Sequence, residues 1–448
     1  MVIKSFVAIL GLSSIVPIAA FSATTEMTGA RVEDPAVQAV AVEYYTRTYN
    51  LSLQEAAHRI EIQNRAVGID TELQSVIGDY GGIWFDPQDG GRLKIGLVND
   101  ASQRQAVERI IDGHGLTQDA DLIFVQHSQR ELRQIKESIR SSIIESIATG
   151  RAKVSYSTAT NRVMVNALND LPVDERRKLE ALRRNLDIHV QSVEAPSVQL
   201  QSYGVECGTL TADEGCRSLR GSVPLLAAGP TFGRCTAGFV AISEHESQGG
   251  PVIVDSYWLL TAGHCVGDAG FVWEAPTSTG QLQKINPLGV IKFFEGASGS
   301  DVAAIQIQPG AFWAKPAGSW IVVLPTLGIS QYNERYPIYG QSTAVEGQVV
   351  CTTGISSDIR CGGVTAIGSS EHVNNGNISE SLDDITETDI CDGPGDSGGP
   401  VFMSNMAFGI VGGQNSKSSC LTVYQKIDIS ESLLGVALLL DLRPSPFK

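Results

Sequence analysis

The chain has 448 residues, 42% hydrophobic and only 18% charged, with 46 glycines, eight cysteines and a formal net charge of -16. That balance excludes a disordered or collagen-like chain, and its acidic surplus disfavours a nucleic-acid partner. Beyond the first 25 residues no run stays apolar for the ~18 positions a membrane span needs, so no membrane partner is expected.

Met1 to Ser22 reads as a secretory signal. Lys4 gives a positive start, Phe6 to Ala20 is apolar, and Ala20-Phe21-Ser22 places small residues where a signal peptidase looks. The expected location is extracellular, where eight cysteines, an even number, point to disulfides. The spacing alone leaves their pairing open.

The remainder divides near residue 200. Residues 1–200 carry 12 glycines, no cysteine, and 25 acidic against 21 basic side chains. Residues 201–448 carry 34 glycines, all eight cysteines, and 24 acidic against 12 basic side chains, a net of -12. A helix-friendly part is thus joined to a glycine-rich, cysteine-bearing one.

In the first part, Leu53, Ala56, Ala57, Ile60 and Ile62 recur at helical spacing within a run from Asp34 to about Asn64. Leu132, Ile135, Ile139, Ile143 and Ile144 repeat that pattern from Ser128 to Ile147, and Pro172 to Leu186 offers a third helix. Strand-like runs lie between: Gly82 to Phe85, a turn over Asp86 to Gly91, Leu93 to Val98, and Arg162 to Asn166. A small α+β unit results. Its histidines, His58, His114, His127 and His189, are scattered and read as structural, and no metal spacing is visible.

The second part carries three segments with chemistry. They are Leu259-Leu260-Thr261-Ala262-Gly263-His264-Cys265, then Ser300-Asp301-Val302-Ala303-Ala304-Ile305, then Cys391 to Pro400 containing Gly395-Asp396-Ser397-Gly398-Gly399. A serine hydroxyl is a weak nucleophile at neutral pH and needs a base, and that base needs a group to fix its tautomer. Ser397, His264 and Asp301 supply those roles. Gly395 and Gly398 let the backbone turn tightly enough to aim the N–H groups of Gly395 and Ser397 at one point, an oxyanion hole. Asp301 opens an alternating apolar run, so it is expected buried at the start of a strand. No cofactor or metal is required.

In this order the segments resemble the trypsin/chymotrypsin-type serine peptidases, over about residues 205–445. The resemblance is nearest to the α-lytic protease and streptogrisin branch, because Cys391 lies six residues before Ser397. YGGIWFDPQDGGRLKIGLVND at Tyr80 to Asp100 and TNRVMVNA at Thr160 to Ala167 resemble strand motifs of that branch's pro-regions. The resemblance implies an all-β, chymotrypsin-like double six-stranded antiparallel barrel, a C-terminal helix from about Ser430 to Leu440, and a small α+β pro-region ahead. The division expected is 1–22 signal, 23–204 pro-region and 205–448 protease. It implies bridges Cys235 with Cys265, Cys351 with Cys361 and Cys391 with Cys420, leaving Cys207 with Cys216. Asp392, Gly412 and Gly413 fall where the family lines its substrate pocket, and a carboxylate at Asp392 suggests Arg or Lys before the cut bond.

Two departures stand out. Phe408-Gly409-Ile410-Val411-Gly412-Gly413 has no serine before its paired glycines, where the family supports the triad aspartate. No activation site of the animal type precedes the domain, so no new terminal amine is available for Asp396. The function implied is a secreted serine endopeptidase made as a pro-enzyme, monomeric, with protein or peptide substrates and its own pro-region as partners. The pro-region would be cut away between about residues 190 and 222. The alternative is a weak or inactive homologue acting as a secreted binding protein.

Overall fold

The computed structural model describes residues 34–441, omitting 99–102, 169–170, 186–187, 193–218, 228–233, 247–251, 267–272, 277–281, 285–289, 294–298, 309–315, 317, 324–332, 375–378 and 415–419. The signal-like start, Cys207, Cys216 and most of the expected cleavage window therefore lie outside the described residues.

Asp34 caps α1 (Pro35–Tyr49), its carboxylate accepting the Ala36 N–H at 2.8 Å. One helical run to Asn64 was expected, but the chain makes two helices. Asn50 takes a left-handed φ of 53°, and Ser52 then caps α2 (Leu53–Arg65) by accepting the Glu55 N–H at 3.2 Å. α3 (Ile69–Val76), β1 (Tyr80–Asp86), β2 (Arg92–Leu97), α4 (Arg104–Gly113) and β3 (Ala120–Phe124) complete the first lobe. Its sheet runs β1-β2-β3, antiparallel then parallel. The second lobe holds α5 (Gln129–Ser142), α6 (Ile144–Ala148), β4 (Ala152–Ser157), β5 (Arg162–Ala167), α7 (Val173–Asn185) and β6 (Ile188–Ser192). A full capping box joins Ser128 and Glu131 at the start of α5.

The second half is built of strands: β7 (Pro224–Ala227), β8 (Arg234–Thr236), β9 (Val240–Glu246), β10 (Val252–Thr261), β11 (Trp273–Pro276), β12 (Leu282–Lys284), β13 (Val290–Phe293) and β14 (Val302–Ile307). These form sheets ordered β12-β11-β7-β8 and β13-β14-β10-β9. β15 (Trp320–Val323), β16 (Asn333–Pro337) and β17 (Gly340–Gln341) lead on to β18 (Val349–Thr352), β19 (Arg360–Asn374), β20 (Ser379–Thr388), β21 (Pro400–Met403), β22 (Met406–Gln414) and β23 (Thr422–Lys426). Here the six strands β18-β21-β22-β23-β20-β19 close on themselves, each pairing antiparallel with the next and β19 returning to β18. Closure pairs β19 with β18 over Arg360–Gly363 and with β20 from Val364 on, while the far part of the long β19 keeps a side free of ring partners among the described residues. The Cys351 to Cys361 bridge joins directly paired positions at its seam.

The expected helix from Ser430 to Leu440 is corrected. α8 spans Ile427–Leu434 and stops at Gly435, which takes φ 64°; β24 (Ala437–Leu438) then pairs with β9. A glycine after the last periodic residue is a helix stop, and it outweighed the apolar run beyond it.

One apolar core crosses both halves, from Val37 and Tyr45 of α1 through Tyr156 of β4 to Tyr336, Phe402 and Tyr424. β4 extends the six-stranded ring by pairing with the long β19, Tyr156 facing Ile367 and Val154 facing Ser370. The first lobe meets Glu346. Phe85 N–H donates to its carbonyl at 2.8 Å, and Thr158 Oγ1, Ala159 N and Ser157 Oγ donate to Oε2 at 2.8, 3.0 and 3.2 Å. Burial pushes the Glu346 carboxyl up, against those donors. Gly347 follows at φ 76°, where an added Cβ would stand 2.2 Å from Phe85 O. Lys136 binds Asp383 at 2.7 Å, Tyr44 Oη donates to Asp389 at 2.7 Å, and Lys153 pairs with Glu387.

Candidate active site

β10 ends at Thr261, and the chain turns at once into a short 3-10 helix, Gly263–Val266, that carries His264. Beside β10, β14 pairs in the register Leu260↔Ala304 and Thr261↔Ala303, which sets Asp301 next to that turn. Asp301 is 1% exposed, as its place before an apolar strand suggested. Its Oδ1 accepts the His264 backbone N–H at 2.8 Å, and its Oδ2 lies 2.7 Å from His264 Nδ1. An ionised carboxylate only accepts, so Nδ1 carries the hydrogen and Nε2 keeps its lone pair. The buried charge is thereby held by two N–H groups of one residue.

Ser397 sits in the turn between Cys391 and β21. Its carbonyl accepts the Thr236 N–H at 2.8 Å and lies 3.7 Å from Cys265 Sγ, and that sulfur is 3.8 Å from His264 Nε2. Ser397 Oγ is 3.5 Å from the Gly412 carbonyl. The structure thus brings His264, Asp301 and Ser397 into one region where β10, β14 and β22 meet. The Cys235 to Cys265 bridge ties β8 to the histidine turn, and Cys391 to Cys420 ties the serine turn to the start of β23. Because both sulfurs beside His264 are in a disulfide, the grouping of Cys235, Cys265 and His264 offers no thiolate pair to a metal.

Two glycines of the turn are required by its geometry. Gly395 takes φ 100° and Gly398 φ 85°, and a Cβ on Gly398 would stand 2.1 Å from Thr261 Oγ1. Thr236, fully buried, organises this region in a way the sequence did not signal. Its Oγ1 donates to Gly395 O at 2.7 Å and accepts the Ile355 N–H at 3.2 Å, while its carbonyl accepts from Thr261 Oγ1 at 3.0 Å.

Asp396 is held by backbone amides among the described residues. Its Oδ1 accepts the N–H groups of Ser356 and Ser357 at 2.8 and 3.1 Å, and its Oδ2 that of Gly393 at 2.6 Å. Three amide donors satisfy a carboxylate that is 1% exposed. Sequence inspection could not find them, because any residue can present a backbone N–H.

Asp392 is 4% exposed, with Thr352 Oγ1 donating to Oδ1 at 2.6 Å. Burial first, and Asp396 second, push its carboxyl up to about 7. Gly412, the first of the paired glycines, faces the aspartate: a Cβ there would stand 3.4 Å from Asp301 Oδ2. Gly413 follows on β22, opposite Val423. The four scattered histidines stay outside this region; His114, for example, bonds Arg65 O at 2.8 Å and Glu72 at 3.0 Å.

Residues 233–433 match the family profile described as Trypsin. Streptogrisin-C of Streptomyces griseus is 24% identical over 398 residues, covering 87% of this chain and 72% of its own length. Serine protease 2 of Streptomyces fradiae is 29% identical over 196 residues, covering 44% of this chain and 94% of its own. Among solved structures, Thermobifida fusca protease A is 22% identical with a TM-score of 0.36, covering 50% of this chain and 99% of its own.

Proposed function

Because residues 233–433 are the trypsin-type domain of a chymotrypsin/trypsin-like serine endopeptidase related to the streptogrisins, we propose that this chain is a secreted pro-enzyme working through His264, Asp301 and Ser397. Ser397 Oγ attacks the scissile carbonyl while His264 Nε2 takes its proton, later giving it to the leaving amine. Asp301 fixes the tautomer and stabilises the imidazolium. The N–H groups of Gly395 and Ser397 receive the oxyanion. The observation that carries this reading is the 2.7 Å contact of His264 Nδ1 with Asp301 Oδ2, together with the second N–H bond that makes the pair rigid.

Asp392, Gly412 and Gly413 are proposed to line the pocket for the residue before the cut bond. A carboxyl at about 7 carries only part of a charge at neutral pH, so any preference for Arg or Lys is expected to be modest. Residues 23–204 are proposed as a pro-region that templates folding, covers the enzyme and is removed between about 190 and 222. The cross-half pairing of β4 with β19 supports that role, since it offers the long strands of the ring a partner while non-local pairing forms. We also propose that the other half of the domain closes as a second six-stranded barrel and that the mature enzyme is a monomer.

Casein hydrolysis tests the function directly. Ser397→Ala is expected to lose on the order of 10⁶ in turnover, by analogy with triad removal elsewhere. Equal activity of the variant would leave only the binding-protein reading. N-terminal sequencing of the secreted form is expected to place its start between about 190 and 222, and a start near residue 23 would sink the pro-region.

A further inference from the structure

Asp392 and Asp396 bracket the Gly393-Pro394-Gly395 turn and are 4% and 1% exposed. Their surroundings are unequal. Asp396 receives three backbone N–H groups, one of them from Gly393 inside the turn at 2.6 Å. Asp392 receives the Thr352 hydroxyl on Oδ1 and, weakly, donates its own N–H to Thr422 Oγ1 at 3.4 Å; among the described residues its buried Oδ2 has no hydrogen-bond partner. Among the described residues, the charged groups that face it are Asp396 from the same turn and Arg360 from β19; Thr352 of β18 and Thr422 of β23 supply only hydroxyls. Arg360 is exposed and spends a donor on the Cys391 carbonyl.

Among the described residues, the donors around this turn therefore suffice for one negative charge, not two. A second charge on Asp392 would be buried without compensation and would stand against Asp396 through the turn that holds Gly395. We propose that Asp392 is a positioning residue for the reaction: its carboxyl acts in the protonated form, and its ionisation distorts the turn that aims the Gly395 and Ser397 N–H groups. Burial supports this by lifting the carboxyl to about 7, so the change falls where an extracellular enzyme would meet it. Below that pH the turn holds its working shape; above it turnover declines.

This inference rests on the serine-endopeptidase reading above. The test is the pH profile of kcat for the secreted enzyme, wild type against Asp392→Asn, which keeps the shape and the Oδ1 acceptor but cannot ionise. Wild type is expected to lose turnover above about pH 7. Whatever the substitution does to turnover at pH 6, the ratio of Asp392→Asn to wild-type kcat is expected to rise ~10-fold between pH 6 and pH 8, because only wild type carries a carboxyl that ionises over that interval. A variant profile that overlays wild type, or a wild type that keeps full turnover to pH 9, overturns the proposal. Infrared difference spectra of the Ser397→Ala full chain between pH 6 and 8 give a second reading that needs no activity. A buried carboxylic-acid carbonyl band present at pH 6 and lost at pH 8, absent from the Asp392→Asn double variant, is expected; its absence in Ser397→Ala overturns the proposal. Enzyme inactive at every pH would instead count against the peptidase reading.

Discussion

In the first half, Lys136 is buried and Lys153 half-buried, reaching across to Asp383 and Glu387 of the second half. In the second half, Asp301 and Asp396 are buried on N–H groups that belong to their own half, from His264, Ser356, Ser357 and Gly393. These two lysines depend on the neighbouring half for their partners, whereas Lys94 and Arg59 pair within their own half and the catalytic centre draws on its own. The sheets differ in the same sense: the ring β18-β21-β22-β23-β20-β19 closes without help, whereas β4 finds a partner on β19. The proposed removal of residues 23–204 fits that asymmetry, since it would uncover Asp383, Glu387 and Asp389 to water without touching the N–H groups that hold Asp301 and Asp396.

The comparison can be broken at several points. The largest effect is expected for Asp301→Asn, which leaves the tautomer of His264 wrong and should lower kcat by about 10⁴, read with a chromogenic peptide amide. The same substitution should leave the association of the two halves unchanged. Next, Lys136→Met in the Ser397→Ala full chain strands Asp383 without its nearest cation, and urea unfolding is expected to show a loss of about 3 kcal/mol. If stability holds while Asp301→Asn loosens the halves, the asymmetry is wrong.

The pH dependence of stability sharpens the same contrast, because a second-half carboxyl paired with first-half cations and one held within the second half shift in opposite directions. Burial pushes Asp383 up, but Lys136, Ser370 and Arg140 together hold it below the usual carboxylate range. A depressed carboxyl contributes stability above its unfolded value near 4, lost as pH falls through the lower folded value. Asp392, raised to about 7, behaves in reverse: its penalty is absent below about pH 4 and grows until about pH 7. Thermal unfolding of Ser397→Ala across pH 3 to 8 should therefore lose its acid-side slope on Lys136→Met, and part of its neutral-side slope on Asp392→Asn. The smallest effect is expected for Gly412→Ser. Its Cβ meets Asp301 Oδ2 at an ordinary 3.4 Å, so the hydroxyl has room to donate to the carboxylate, adding about 1 kcal/mol of stability and changing kcat/KM by no more than ~10-fold.

Parts of the molecule were readable from residue order, where the signal is short-range. The glycines of Gly395-Asp396-Ser397-Gly398 reveal a tight turn because two of them take positive φ that other residues resist. The alternation after Asp301 reveals a buried strand start. The capping box at Ser128 and Glu131 fixed the start of α5. Short elements such as α3 (Ile69–Val76) and β6 (Ile188–Ser192) were not readable; α3 starts from Gly68 without a side-chain cap, and β6 exists by parallel pairing with β5.

By itself the sequence determined the chemistry available: a histidine, an aspartate and a serine each set in a distinctive local backbone, and cysteines confined to the second half. Only the tertiary structure decided how buried charge is balanced. Asp396 rests on amides of Ser356 and Ser357, 40 and 39 positions away, and Asp392 is met by side-chain hydroxyls rather than amides among the described residues. It also decided that Gly412 faces Asp301 and that Glu346 anchors the first half. The reason is physical: a backbone N–H leaves no mark in the residue alphabet, and a carboxylate's state depends on how many such donors the fold brings to it.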